Sequence, residues 1–230
     1  MSGLGSKAPR TNTAPDGISR PILFSASMVR ALLADTKSQT RRIVKPRPTG
    51  EPRPLSEWSA GLAHACHDHS PDPDKLHAHS ERLRGRIFPF TSDSGGLYSP
   101  SCPYGRPSDL LWVRETHYVW SAGYKDGRGR HISYRASEPD APCTWTPSIH
   151  MPRWASRLTL RITDVRIERL QDISDEDAEA EGWPGPDENN SIASAYPIAW
   201  YSQLWESING ADSWASNPWV WVVSFERTLP

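Results

Sequence analysis

The chain has 230 residues, a mass of 25.8 kDa and a formal net charge of -1 from 26 basic and 27 acidic side chains. That balance argues against a protein that holds a long phosphate backbone by overall positive charge, so any nucleic-acid contact is local or to a small piece. Hydrophobic residues at 37% are enough for a real core, while 22 prolines, roughly twice the ordinary share, put long irregular connections around it. This length suits one domain with insertions better than two domains. Three cysteines (Cys66, Cys102, Cys143) make no disulfide framework and contain no CxxC pair. No run approaches the ~18 apolar residues of a membrane span. Residues 1–20 lack the apolar centre of a signal peptide and read as a flexible leader, so the chain is expected to be soluble and cytoplasmic.

In chain order, Pro21 to Phe24 reads as a short strand and Ala26 to Asp35 as a helix. Ser25 is its N-cap, and Met28, Val29, Leu32 and Leu33 fall on one face. "KSQTRRIV" is a turn running into a strand. Residues 46–107 are rich in proline, serine and histidine and lack periodicity. "SDLLWVRET" (108–116) is a compact strand. Residues 117–150 form a second irregular stretch in which "GYKDGRGRHISYR" reads as a hairpin. "SRLTLRITDVRIERL" is a strand pair whose alternation changes register near Asp164, at a bulge or turn. "DISDEDAEAEGW" is a short helix with Ser174 as N-cap, Asp177 at the capping-box position and Gly182 as its stop. "IAWYSQLWESING" is a further helix with Ile198, Tyr201, Trp205 and Ile208 on one stripe. A last strand places Trp219, Trp221, Val223 and Phe225 on one face. The order predicts an α+β fold, a small mixed β-barrel carrying short helices, rather than a doubly wound sheet.

Few residues carry chemistry. The cluster His64, Cys66, His67 and His69, with His77 and His79 beyond it, offers zinc-ligand types at none of the usual spacings and reads as a polar surface loop. Most of the eleven tryptophans are packing residues, though Trp112, Trp154 and Trp183 lie near candidate functional segments and could flank a flat ligand. Asp175, Glu176 and Asp177 sit in the first helical turn, where carboxylates meet the positive end of the dipole. Glu181 sits at the other end, where a carboxylate is mildly disfavoured unless a cation meets it; a solvated surface glutamate is the commoner explanation, and a lysine or arginine elsewhere is its natural partner. Lys37 and Thr40 are a candidate base and nucleophile: a lysine of lowered pKa activates a hydroxyl, and burial or the charges of Arg41 and Arg42 lower it. If Glu181 joins them, two schemes are open. Either Lys37 takes the proton and Thr40 attacks, or Glu181 handles the proton and Lys37 stabilises the oxyanion. Positions 37 and 40 point to opposite faces of a flat strand, so a bend is required.

"SMVRALLADTKSQTRRIV" resembles the signature helix-turn of the ASCH domains, a branch of the PUA-like barrels. "SDLLWV", "LTLRITDVRIERLQDISDEDAEAEG" and "VWVVSFERT" resemble later elements of the same family, in order, with a likeness to bacteriophage and prophage members. The resemblance covers most of 21–228 and implies one domain, 21–230, with insertions near 46–105, 117–150 and 183–197. Some members are N4-acetylcytidine amidohydrolases that work without metal or other cofactor. Their catalytic lysine, threonine and glutamate fall on Lys37, Thr40 and Glu181, and Arg42, with Arg41 beside it, falls where a substrate oxygen or a structural carboxylate would be held. Where the family has glycine before Asp109, this chain has Ser108. The expectation is an amidohydrolase acting on an N4-acylated cytidine or related nucleoside. The alternatives are an RNA-binding barrel, in which Lys37, Arg41 and Arg42 grip phosphate, or a ribonuclease on the same scaffold.

Overall fold

Among the described residues, strand ladders rather than helices organise the fold. The computed structural model describes residues 18–45, 90–91, 97–98, 101–120, 131–186 and 196–228. Its strands are β1 (Ser19–Leu23), β2 (Gln39–Ile43), β3 (Phe90–Thr91), β4 (Leu97–Tyr98), β5 (Leu110–Arg114), β6 (His117–Trp120), β7 (His131–Tyr134), β8 (Thr159–Arg169) and β9 (Trp219–Arg227). Five of them make one mixed sheet in the order β1-β5-β8-β9-β2, with β1 and β5 parallel and every other pair antiparallel. The architecture is therefore mixed α+β. The ladder does not close into a barrel: β1 and β2 are its two edges, and the Arg42 guanidinium reaches across to the Leu23 carbonyl at 2.7 Å.

The expected strand pair at 156–170 is a single strand. β8 runs unbroken for 11 residues against β9, and the change of alternation is a register shift between Ile162 and Asp164. One extra residue accomplishes this without a turn, so Leu160, Ile162 and Val165 all stay buried. β9 is apolar on both faces because both are covered. Trp219, Trp221, Val223 and Phe225 join Val29, Leu160 and Ile162 in one core. Val220 and Val222 join Leu170, Ile173, Ala178, Tyr201 and Trp205 in a second.

Three helices surround the β2 edge: α1 (Ala26–Leu33), α2 (Asp175–Ala180) and α3 (Pro197–Asn209). The Ser25 hydroxyl accepts from Met28 N–H, capping α1. The helix stops two residues before Asp35, which takes a left-handed φ of 57°. There the Asp35 and Thr36 N–H groups bond back to the Leu32 and Ala31 carbonyls, a reversal that ends the helix sharply. In α2 Ser174 caps as expected, and Gly182, with φ 100°, stops it. On α3 the stripe is buried at Tyr201 and Trp205 but not at Ile208, which is 51% exposed.

Other expectations shift. Of the hairpin expected at 123–135, residues 131–134 form β7, which pairs with β6 upstream of it, and residues 123–130 lie outside the described residues. The expected leader gives up Ser19 and Arg20 to β1, and its residues 1–17 lie outside the described residues. The histidine cluster His64 to His79 lies outside them too. Among the described residues no helix is long and apolar enough to cross a membrane.

Candidate functional site

The left-handed turn at Asp35 swings the chain back under α1 and delivers residues 37 and 38 to the end of α2. Ser38 is pinned there: its N–H donates to the Ala180 carbonyl at 2.9 Å, and its carbonyl accepts from Phe225 at 2.8 Å. Lys37 then faces the C-terminus of α2, and its Nζ donates to the Glu181 carbonyl oxygen at 2.7 Å and to Glu181 Oε2 at 2.6 Å. The cation that a carboxylate at this helix end calls for is thus Lys37. Both side chains are at most 1% exposed. Gly182 permits the approach, since a Cβ there would stand 3.0 Å from Ala31 Cβ and 3.3 Å from Lys37 Cβ.

The second carboxylate oxygen, Glu181 Oε1, accepts from the Tyr201 hydroxyl at 3.3 Å and lies 3.7 Å from Arg41 NH1. Arg41 is held by a network rather than presented to solvent. It donates to Gln39 Oε1 at 2.6 Å, to Glu168, and to Asp177 Oδ2 at 2.7 Å. Arg166 donates to the same two carboxylates. Gln39 and Arg41 alternate along one side of β2, and Asp177 in the first turn of α2 and Glu181 at its C-cap stand one turn apart, so the two elements zip together. Asp177 thereby serves as an inter-element ion partner as well as a first-turn acid.

A cavity of about 290 Å³ opens beside this network, lined by Thr40, Arg41, Arg42, Tyr104, Glu181 and Tyr201, among others. Thr40 is paired with Val223 and is 1% exposed, and among the described residues nothing hydrogen-bonds its hydroxyl. Lys37 is in contact with Glu181 rather than on the cavity wall, so Glu181 connects the lysine to the threonine side of the site. Arg42 reaches the cavity with its guanidinium 5.5 Å from the Phe24 ring. The three tryptophans considered as flanking residues do not line it. Trp112 has the Arg114 and Arg153 guanidinia over its ring at 5.5 and 5.8 Å, and Trp154 is 55% exposed. The aromatic walls are instead Tyr104, Tyr201 and Trp205.

Burial sets the proton affinities. Desolvation pushes the Lys37 ammonium below its ordinary 10.5; Glu181 opposes this, and the charges of Arg42 and Arg41 reinforce it. Burial, with Glu181 beside it, lifts the Tyr201 phenol well above 10, so it stays a hydrogen-bond donor at neutral pH. Burial also pushes the Asp177 carboxyl up, but Gln39, Arg41 and Arg166 outweigh it and hold the group below 3.8. A weakened ammonium, a carboxylate gripped at both oxygens and an unengaged hydroxyl form a set suited to moving a proton to or from an attacking oxygen.

Sequence reasoning missed Tyr201, read as part of a packing stripe, and Tyr104, which fell in an insertion. Among the described residues, no group of three or more His, Cys, Asp or Glu side chains is arranged to hold a metal ion. No protein-family model, no curated protein and no solved structure matches the chain.

Proposed function

We propose that the chain is an amidohydrolase of ASCH type that removes the acyl group from N4-acylated cytidine or a related nucleoside without a metal ion. The observation that carries the reading is the buried Lys37–Glu181 pair, whose glutamate lines the same cavity as Thr40. The finer fold reading, a PUA-like barrel, draws support from the Arg42 bond that ties the two sheet edges. Ser108 adds to it: with φ 77° it holds the left-handed turn that a glycine would make freely at that position.

In this scheme the acyl carbonyl sits against Thr40 and the cytosine ring lies among Tyr104, Tyr201 and Trp205. Lys37, with its weakened proton affinity, accepts the Thr40 hydroxyl proton by way of Glu181, and the oxygen attacks the carbonyl carbon. The amide C–N bond breaks, the leaving N4 amine receives that proton, and water then hydrolyses the threonyl ester to release the acid. Arg41 holds Glu181 in place, and Arg42 contacts substrate. The near-complete burial of Lys37 and Arg41 weighs against the rival in which both grip a phosphate backbone.

The test is hydrolysis of N4-acetylcytidine by the wild type and Lys37→Ala, with chelator present and cytidine followed by chromatography. Cytidine should form with the wild type only, while circular dichroism shows both proteins folded. Equal release by both proteins, or no release from any member of an N4-acyl series, would sink the proposal.

A further inference from the structure

The charges around the cavity are not balanced, and the imbalance lies at one place. Among the described residues four charged side chains line it: Arg41, Arg42, Lys45 and Glu181. Glu181 is answered by Lys37, and Arg41 by Glu168 and Asp177. Arg42 and Lys45 are left over. Arg42 gives one N–H to the Leu23 carbonyl and lies over the Phe24 ring. Its Nε–H is buried without an acceptor, and among the described residues no carboxylate pairs with it or with Lys45.

A neutral nucleoside has no use for two unmatched cations. A guanidinium with unused N–H donors and a nearby ammonium match a phosphate, which takes Arg in a forked geometry and Lys as a point charge. The half-buried position of Arg42, over the Phe24 ring and beside Tyr104 of the cavity lining, strengthens such a contact relative to open water. The phosphate has to belong to a small molecule. At about 290 Å³ the cavity is at the small end of ligand sites, ~300–1,000 Å³, and Lys37 and Arg41 are buried, so among the described residues they do not extend Arg42 and Lys45 into a basic track for a polymer.

Resting on the amidohydrolase reading, we infer that the preferred substrate is a nucleotide, an N4-acylcytidine monophosphate whose phosphate is held by Arg42 and Lys45. The reaction is the same hydrolysis: water and the acylated nucleotide give the carboxylic acid and cytidine monophosphate, with the proton delivered to the N4 amine. The chain would then act downstream of reactions that release acylated nucleotides from a polymer, or that acylate free nucleotides.

The experiment compares kcat/KM of the full chain for N4-acetylcytidine, its 5′-monophosphate and a short oligonucleotide carrying the same base, at low and high salt. The monophosphate should be favoured over the nucleoside by about 10-fold or more, the equivalent of about 1.4 kcal/mol. That preference should shrink with added salt and fall several-fold in Lys45→Gln and in Arg42→Gln. Lys45 is exposed, so its replacement remains informative if the Arg42 variant folds poorly. Equal rates on nucleoside and monophosphate would overturn this inference and leave the amidohydrolase reading standing. A preference for the oligonucleotide would overturn it in favour of a polymeric substrate. Hydrolysis of none of the three, with none of the wider N4-acyl series hydrolysed either, overturns both.

Discussion

Lys37→Met removes an ammonium whose side chain is fully buried and leaves Glu181 in place. Breaking a buried ion pair from one side destabilises a protein by about 3–5 kcal/mol, because the remaining charge is uncompensated. Here Glu181 keeps the Tyr201 hydroxyl at 3.3 Å and Arg41 at 3.7 Å, which places the cost near the lower end, about 3 kcal/mol. For a chain of this size that corresponds to a fall in Tm of roughly 6–12 °C. Adding Glu181→Gln removes the orphaned charge while preserving shape, so Lys37→Met/Glu181→Gln should regain about 2 kcal/mol relative to Lys37→Met alone. Urea unfolding followed by tryptophan fluorescence measures all four corners of the cycle. A coupling energy below about 0.5 kcal/mol, the range of an exposed pair, would refute the claim that this contact is a closed, desolvated ion pair.

Four further expectations follow from the burial of Lys37 and from two left-handed backbone positions. If neutral Lys37 is the base, kcat/KM rises with pH through an inflection below 10.5; a fall over that range would assign the base role to Glu181 and leave the Lys37 ammonium as the stabilising cation. Because folded Lys37 binds its proton more weakly than the unfolded chain does, stability should also rise with pH in the window ending near 10.5, and Lys37→Met should flatten that rise. Gly182→Ala forces a Cβ to 3.0 Å from Ala31 and 3.3 Å from Lys37 at a φ of 100°; it should cost about 1–3 kcal/mol and lower kcat, read by thermal unfolding and the acyl-cytidine assay. At Ser108, with φ 77°, stability should fall in the order Gly, Ser, Val, since glycine relieves a strain of about 1 kcal/mol and a β-branched residue increases it.

Some of this molecule was legible residue by residue. Ser25 and Ser174 as caps, Gly182 as a stop, the apolar face of α1 and the alternation in β9 are local signals, and local hydrogen bonding and periodicity decide them. The irregularity near Asp164 was visible for the same reason, but whether it was a turn or a bulge depended on which strand lay alongside. The candidate set Lys37, Thr40, Arg41, Arg42 and Glu181 could be named because it rested on residue types and on a family resemblance. Which of these side chains meet was decided elsewhere. Lys37 and Glu181 are 144 residues apart, and their contact exists because the left-handed turn at Asp35 and the Ser38 bonds to Ala180 and Phe225 bring β2 against the end of α2. Tyr201 and Asp177 likewise join the site only through packing, since a buried phenol on a helical stripe and an acid in a first turn have ordinary local explanations. Sequence by itself determined which segments bend, extend or stop, because those choices are made within a few residues. The tertiary structure alone decided which charges are buried together, because desolvation depends on everything that packs around them.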